Sequence, residues 1–259
     1  MAAALHYARK ASFGLSIFIT VCGASLAART MWRGHLEDSL LRTPPDVVLL
    51  NPTLLDFSLN IGQSAYAEYC SGCHRAGQGD SAIGVPGFIE GAWLYGSGEI
   101  YQIERSITHG IRSGDPRGHH LADMPAYAQP VPYTREKIDP LTPDDIDDVT
   151  EFVLAFAKSG KSPAARRGED IYRGRGGCQD CHGGDGRGDS AIGAPDLVGP
   201  VHLWGNGSRA TLIESISRGH AGVCPAFQRR LSPATIRALA FYLFTMAGKR
   251  RAAHQLQNR

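Results

Sequence analysis

Apolar residues fall into three patterns along the chain. The first is nearly unbroken: Ala11 to Ala28, preceded by Arg9 and Lys10 and followed by Arg29 and Arg33. Its length is near the lower end of the ~17 to 25 residues that span a bilayer, so it predicts an N-terminal membrane anchor that doubles as an export signal. Ser25-Leu26-Ala27 offers a small-x-small cleavage site, but the run is longer than the usual ~7 to 15 residue core of a cleaved signal. Basic residues ahead of the anchor place the bulk of the chain outside the cytoplasm. The other two patterns are twins. Ile146, Val149, Val153 and Phe156 are spaced as one face of an amphipathic helix, and Ile236, Leu239, Leu243 and Met246 repeat that face. Thr142-Pro143-Asp144-Asp145 opens the one helix and Ser232-Pro233 the other, each with a capping hydroxyl and a first-turn proline.

The twinning extends further. Gly79-Asp80-Ser81-Ala82-Ile83-Gly84-Val85-Pro86 recurs as Gly188-Asp189-Ser190-Ala191-Ile192-Gly193-Ala194-Pro195, and Leu94-Tyr95-Gly96 as Leu203-Trp204-Gly205 at the same offset. Met124-Pro125-Ala126-Tyr127 answers Cys224-Pro225-Ala226-Phe227 at a shorter offset, so the first repeat carries an insertion around Gly114 to His120. Gly62 with Tyr66, and Gly168 with Tyr172, mark a short helix opening each repeat. The expected organisation is an anchor over 1–34, a connecting segment over 35–60, a first domain over 61–158, a linker over 159–167, a second domain over 168–248 and a basic tail over 249–259. The linker rests on the polar, basic stretch Lys158 to Arg167, with Gly160 and Pro163. The tail cluster Lys249-Arg250-Arg251 reads as a solvated face.

Composition narrows the chemistry. A net charge of +2 and the lack of an aromatic-interleaved basic patch give no reason to expect nucleic acid as a partner. Thirty-one glycines suit loop-rich domains. Of six cysteines, four form Cys70-Ser71-Gly72-Cys73-His74 and Cys178-Gln179-Asp180-Cys181-His182. Both are C-x-x-C-H, the attachment pattern of c-type haem, in which the thiols bond to the porphyrin edge and the histidine ligates iron. Two such frames within a repeat behind an export signal predict two covalently bound haem c groups. Zinc would want further Cys or His at matching spacing in each repeat. Cys22, inside the apolar run, reads as filler.

The sixth iron ligand comes next, since methionine opposite histidine raises the potential. Met124 is the loop methionine and is expected over the first haem, with His109, His119 or His120 as alternatives. The aligned position of the second repeat is Cys224, whose thiolate would lower that haem's potential; His220 or an open position are the alternatives there. No paired carboxylates, triad or nucleotide loop suggest other catalysis, so an electron carrier is favoured over an enzyme.

These phrases, with Asn51-Pro52-Thr53-Leu54-Leu55-Asp56-Phe57, Gly110-Ile111-Arg112-Ser113-Gly114 and His202-Leu203-Trp204-Gly205, resemble the dihaem subunit, FixP or CcoP, of cbb-type cytochrome c oxidases over roughly Asn51 to Gly248. The resemblance implies an all-α fold of two tandem class I cytochrome c domains behind an N-terminal membrane helix. It further implies a bacterial inner-membrane protein with periplasmic haem domains, passing electrons from a donor cytochrome c to the catalytic subunit of an oxidase beside its monohaem subunit. The family places methionine where this chain has Cys224. A dihaem thiosulfate dehydrogenase-like enzyme with a His/Cys haem, or a free-standing electron shuttle, is the alternative.

Overall fold

A computed structural model of the chain describes residues 23–88, 93–130, 139–156 and 161–257, with side chains up to 248. The described elements are helices: α1 over 23–42, α2 Pro45–Leu50, α3 Pro52–Tyr69, α4 Ser71–His74, α5 Ile100–His109, α6 Pro143–Ala155, α7 Pro163–Arg173, α8 Gln179–His182, α9 Arg209–Arg218 and α10 Pro233–Gln257. Among the described residues, β-type pairing is confined to isolated bridges.

The chain divides into two units, residues 1–57 and 58–259. In the first, Leu36, Leu40 and Val48 are buried. The segment 35–60, expected as a connection, is largely helical. The short helix expected at Gly62 is the later part of α3, which runs for 18 residues. Asn51 starts it by accepting the Leu54 N–H on Oδ1 at 3.1 Å, and Pro52 suits a first turn. The expected anchor falls mostly on residues 1–22, outside the described residues. Among the described residues no helix is long and apolar enough to cross a membrane.

In the second unit the two repeats exchange their closing helices. α6, which closes the first repeat, packs along α7, which opens the second, and against α9; α10, which closes the second repeat, packs on α5 of the first. α10 also crosses α3, where a methyl on Gly62 would lie 2.4 Å from the Ala238 carbonyl oxygen. At the matching α6–α7 crossing a methyl on Gly168 would lie 1.9 Å from the Asp148 carbonyl oxygen. Both glycines allow backbone contact that no side chain would permit.

The expected linker is corrected here: residues 163–167 form the first turns of α7, whose cap Ser162 accepts the Ala165 N–H at 3.1 Å. A short connection favours α6 and α7 as neighbours, and α6 packs together with α7. Arginines of the second repeat fix it there: Arg167 to Asp148 at 2.6 Å, Arg175 to Asp145 at 2.5 Å, and Arg209 to Asp147 and Glu151 at 3.1 Å each.

Two cores result. One is contiguous in sequence, where Tyr127, Leu141, Ile146, Val149, Ile171 and Ile216 form a buried cluster. The other is split, with Tyr66, Ile103 and Ile107 buried from before the insertion, and Phe227, Ile236, Leu239 and Leu243 from after it. The crossovers are stitched by backbone pairs that the repeat relates to each other. Ile111 and Cys224 exchange N–H···O bonds of 2.9 and 3.0 Å, and Met124 and His220 exchange two of 2.9 Å. Tyr127 N–H donates to Ile216 O, and Phe227 N–H to Ile107 O, each at 3.0 Å.

Candidate haem-binding centres

Each Cys-x-x-Cys-His frame is a single helical turn. His74 N–H donates to Cys70 O at 2.8 Å, and His182 N–H to Cys178 O at 3.0 Å, so both cysteines and the histidine are presented from α4 and from α8. The opening helices hold these turns in place: the Tyr66 hydroxyl donates to Arg75 O at 3.0 Å and the Tyr172 hydroxyl to Gly183 O at 2.7 Å. The repeated Gly-Asp-Ser-Ala-Ile-Gly phrase is a closed loop, with Asp80 and Val85, and Asp189 and Ala194, paired through backbone bonds of 2.8 to 3.0 Å. Each loop delivers a proline carbonyl to its histidine. His74 Nδ1–H donates to Pro86 O and His182 Nδ1–H to Pro195 O, both at 3.0 Å. That fixes the tautomer and leaves Nε2 as the free lone pair, the arrangement of a ligating imidazole. Burial lowers both histidine pKa values, against a smaller raising effect from the proline carbonyls, so both rings are held neutral.

The two candidate sixth ligands lie beside residues of the opposite repeat. Met124, expected at the first centre, packs on the contiguous core that Cys178 also borders. Cys224, expected at the second, is backbone-paired with Ile111 of the first repeat and lines the cavity with Cys70 and Cys73. Burial first, then Cys224, pushes the Cys70 thiol up to about 12; burial first, then Cys73, pushes Cys224 up to about 11. Cys178, also raised to about 11 by burial, neighbours the Tyr127 hydroxyl instead. The cause is the helix exchange: each ligand loop leads into the closing helix, and each closing helix packs in the core of the other repeat's motif.

A continuous cavity of about 450 Å³ is lined by both motifs together with Met124, Cys224 and His220, and its wall is mainly apolar. Among the described residues no three His, Cys, Asp or Glu side chains gather as a closed metal site would need. Two thiols, a tethered histidine with free Nε2 and an apolar wall fit a covalent haem at each motif. The alternative histidines of the first repeat have other partners. His109 Nδ1 pairs with Asp115 at 3.1 Å, His119 Nε2 with Ser106 at 3.1 Å, and His120 Nδ1–H donates to Gly118 O at 2.8 Å. His119 and His120 line a separate cavity of about 210 Å³.

Two residues of the site were visible in the sequence only as repeat markers. Tyr95 and Trp204 each enter the opposite repeat, where methyls on Gly193 and Gly84 would lie 2.1 and 2.0 Å from their rings. His220 stacks on Trp204 with centroids 3.8 Å apart, and His119 stacks on Tyr95 at 4.4 Å. Arg112 Nη1 ties Tyr95 to the ligand loop through Tyr95 Oη at 3.0 Å and Ala122 O at 2.9 Å.

Two haem-attachment turns in a mostly helical, loop-rich body define a c-type cytochrome with two centres. Residues 59–156 match the family model "Cytochrome c", and residues 163–243 match "Cytochrome C oxidase, cbb3-type, subunit III". The chain is similar to FixP of Azorhizobium caulinodans, 38% identical over 218 residues, covering 83% of this chain and 69% of the relative. It is similar to CcoP of Azospirillum brasilense, at 37% over 217 residues, 81% of this chain and 69% of the relative. CcoP of Rhodobacter capsulatus is 34% identical over 222 residues, 82% of this chain and 70% of the relative. The chain belongs to the FixP/CcoP family of cbb3-type cytochrome c oxidase subunits. It is a dihaem c-type cytochrome, and its work is electron transfer.

Proposed function

We propose that this chain relays electrons through two unlike centres to the catalytic subunit of a cbb3-type terminal oxidase, held at the bacterial inner membrane by its N-terminal segment with the haem domains in the periplasm. Cys70 and Cys73 attach the first haem, with His74 and Cys224 as axial ligands. Cys178 and Cys181 attach the second, with His182 and Met124. A haem iron supplies the one-electron ferric/ferrous cycle; the chain supplies ligands and surroundings that set its potential.

The observation that carries this reading is the crossing of the ligand loops: Cys224 is backbone-paired with Ile111 of the first repeat, Met124 is backbone-paired with His220 of the second, and Met124 packs on the core bordering Cys178. A thiolate donates electron density to iron and lowers its potential, whereas a thioether raises it. The pair is therefore ordered for entry at the first centre and exit at the second, downhill towards the oxidase. Low-temperature electron paramagnetic resonance of the oxidised protein tests the assignment. Cys224→Met should replace the thiolate-type signal of the first haem and leave the second haem's signal in place. A change confined to the second haem would refute the crossed ligation.

A further inference from the structure

We propose that His220 is a positioning residue of the second centre, its Nε2–H donating to a propionate carboxylate of the haem held there. The inference rests on the reading of that centre given above.

The His220 ring lies flat on Trp204, at 3.8 Å between centroids and 8° between planes, on the wall of the cavity that both motifs share. Its Nε2 is buried and has no hydrogen-bond partner among the described residues. A buried donor is ordinarily satisfied, so the missing partner is expected from what fills the cavity. A haem brings two kinds of group able to meet an imidazole nitrogen, its iron and its propionate carboxylates.

The iron is already provided for. His220 and Met124 are directly opposed in an antiparallel pair with both backbone bonds at 2.9 Å, so their side chains emerge on one face. Met124 reaches the core of the second centre from that face, and the stack on Trp204 holds the imidazole beside it. That leaves a carboxylate. Of the neighbouring groups, Arg112 donates to Gly222 O, Tyr95 Oη and Ala122 O, and His119 Nε2 pairs with Ser106. The position of the first repeat that aligns with His220 is Ile111, which has no donor, so this contact belongs to one centre only.

A donor on a propionate draws part of its negative charge away from the iron and so favours the ferrous state. Removing the donor should lower the potential. The test is a potentiometric titration of the full holoprotein carrying His220→Leu or His220→Gln, with the wave of the second centre identified as the one lost in Cys178→Ala/Cys181→Ala. Leu should cut the ferrous-to-ferric ratio of that wave about tenfold at fixed potential, equivalent to about 59 mV for one electron. Gln, which keeps an N–H, should recover most of the shift. The methionine-to-iron near-infrared band should persist in both variants. An unmoved second wave, a shift in the first wave instead, loss of the band, or Gln falling as far as Leu would each overturn the proposal. Should the Leu variant not load haem, nitrogen-15 histidine spectra of the reduced wild type decide: a slowly exchanging, downfield His220 Nε2–H supports the contact, and a freely exchanging one refutes it. An intact-protein mass showing one covalent haem rather than two would instead defeat the reading of the centre itself.

Discussion

Val149 belongs by sequence to the first repeat, yet it is 1% exposed in a cluster completed by Ile171 and Ile216 of the second. Truncation to alanine removes two methyl groups, about 1.6 kcal/mol of transfer free energy at ~0.8 kcal/mol per carbon. The hole left behind adds roughly another 1 kcal/mol if it collapses only partly. Val149→Ala should therefore destabilise the protein by about 2 to 3 kcal/mol, read as a lower guanidinium midpoint with an unchanged slope. The place of the damage is the sharper test. Val149 lines the haem cavity on the core bordered by Cys178, so the paramagnetically shifted haem-methyl resonances of the second centre should move while those of the first stay fixed. The twin substitution Leu239→Ala, at a position with no exposure on α10, should cost about 2 to 5 kcal/mol and shift the first centre. If Val149→Ala disturbed the first haem and Leu239→Ala the second, each repeat would fold on itself and the exchange would be wrong.

Further outcomes follow from the same packing. Because one core is contiguous in sequence, residues 122–221 expressed alone should bind one covalent haem with the methionine near-infrared band; an apo or unfolded product on haem staining would contradict this. Thr142→Ala removes the cap of α6, where Thr142 and Asp145 satisfy each other's backbone N–H at 2.9 and 3.2 Å, and should lower the unfolding free energy by about 1 kcal/mol. Asp145 is held below the carboxylate range chiefly by Arg175, and Glu169 by Lys161 and then Arg173. Carboxyls with a depressed folded pKa add stability above their unfolded value, near 4, and lose it as the pH falls towards the folded one. Unfolding titrations should show stability declining below about pH 4; a rise on acidification would contradict those pairings.

The haem-attachment frames were legible because their chemistry is local: a single helical turn carries both thiols and the histidine. The repeat was equally legible, and so were the closing helices, since Thr142 and Ser232 cap them as their sequence implies. What escaped was the choice of partner. The apolar faces of α6 and α10 are near copies, and periodicity cannot tell which of two similar cores each one fills. The deciding signal was Ser162-Pro163, the same cap and first-turn proline that opens α10. Taken as a helix start rather than as linker, it leaves a short connection that favours α6 and α7 as packing neighbours. The roles of Tyr95 and Trp204 depend on that exchange, so they too lay beyond a linear reading.

The most direct test of crossed ligation uses a protein with a single haem. In Cys178→Ala/Cys181→Ala only the first centre is loaded, and near-infrared magnetic circular dichroism reports its axial ligands. Crossed ligation predicts a histidine–thiolate signature that Cys224→Met abolishes and Met124→Ala leaves unchanged. A histidine–methionine signature that vanishes with Met124→Ala would contradict it.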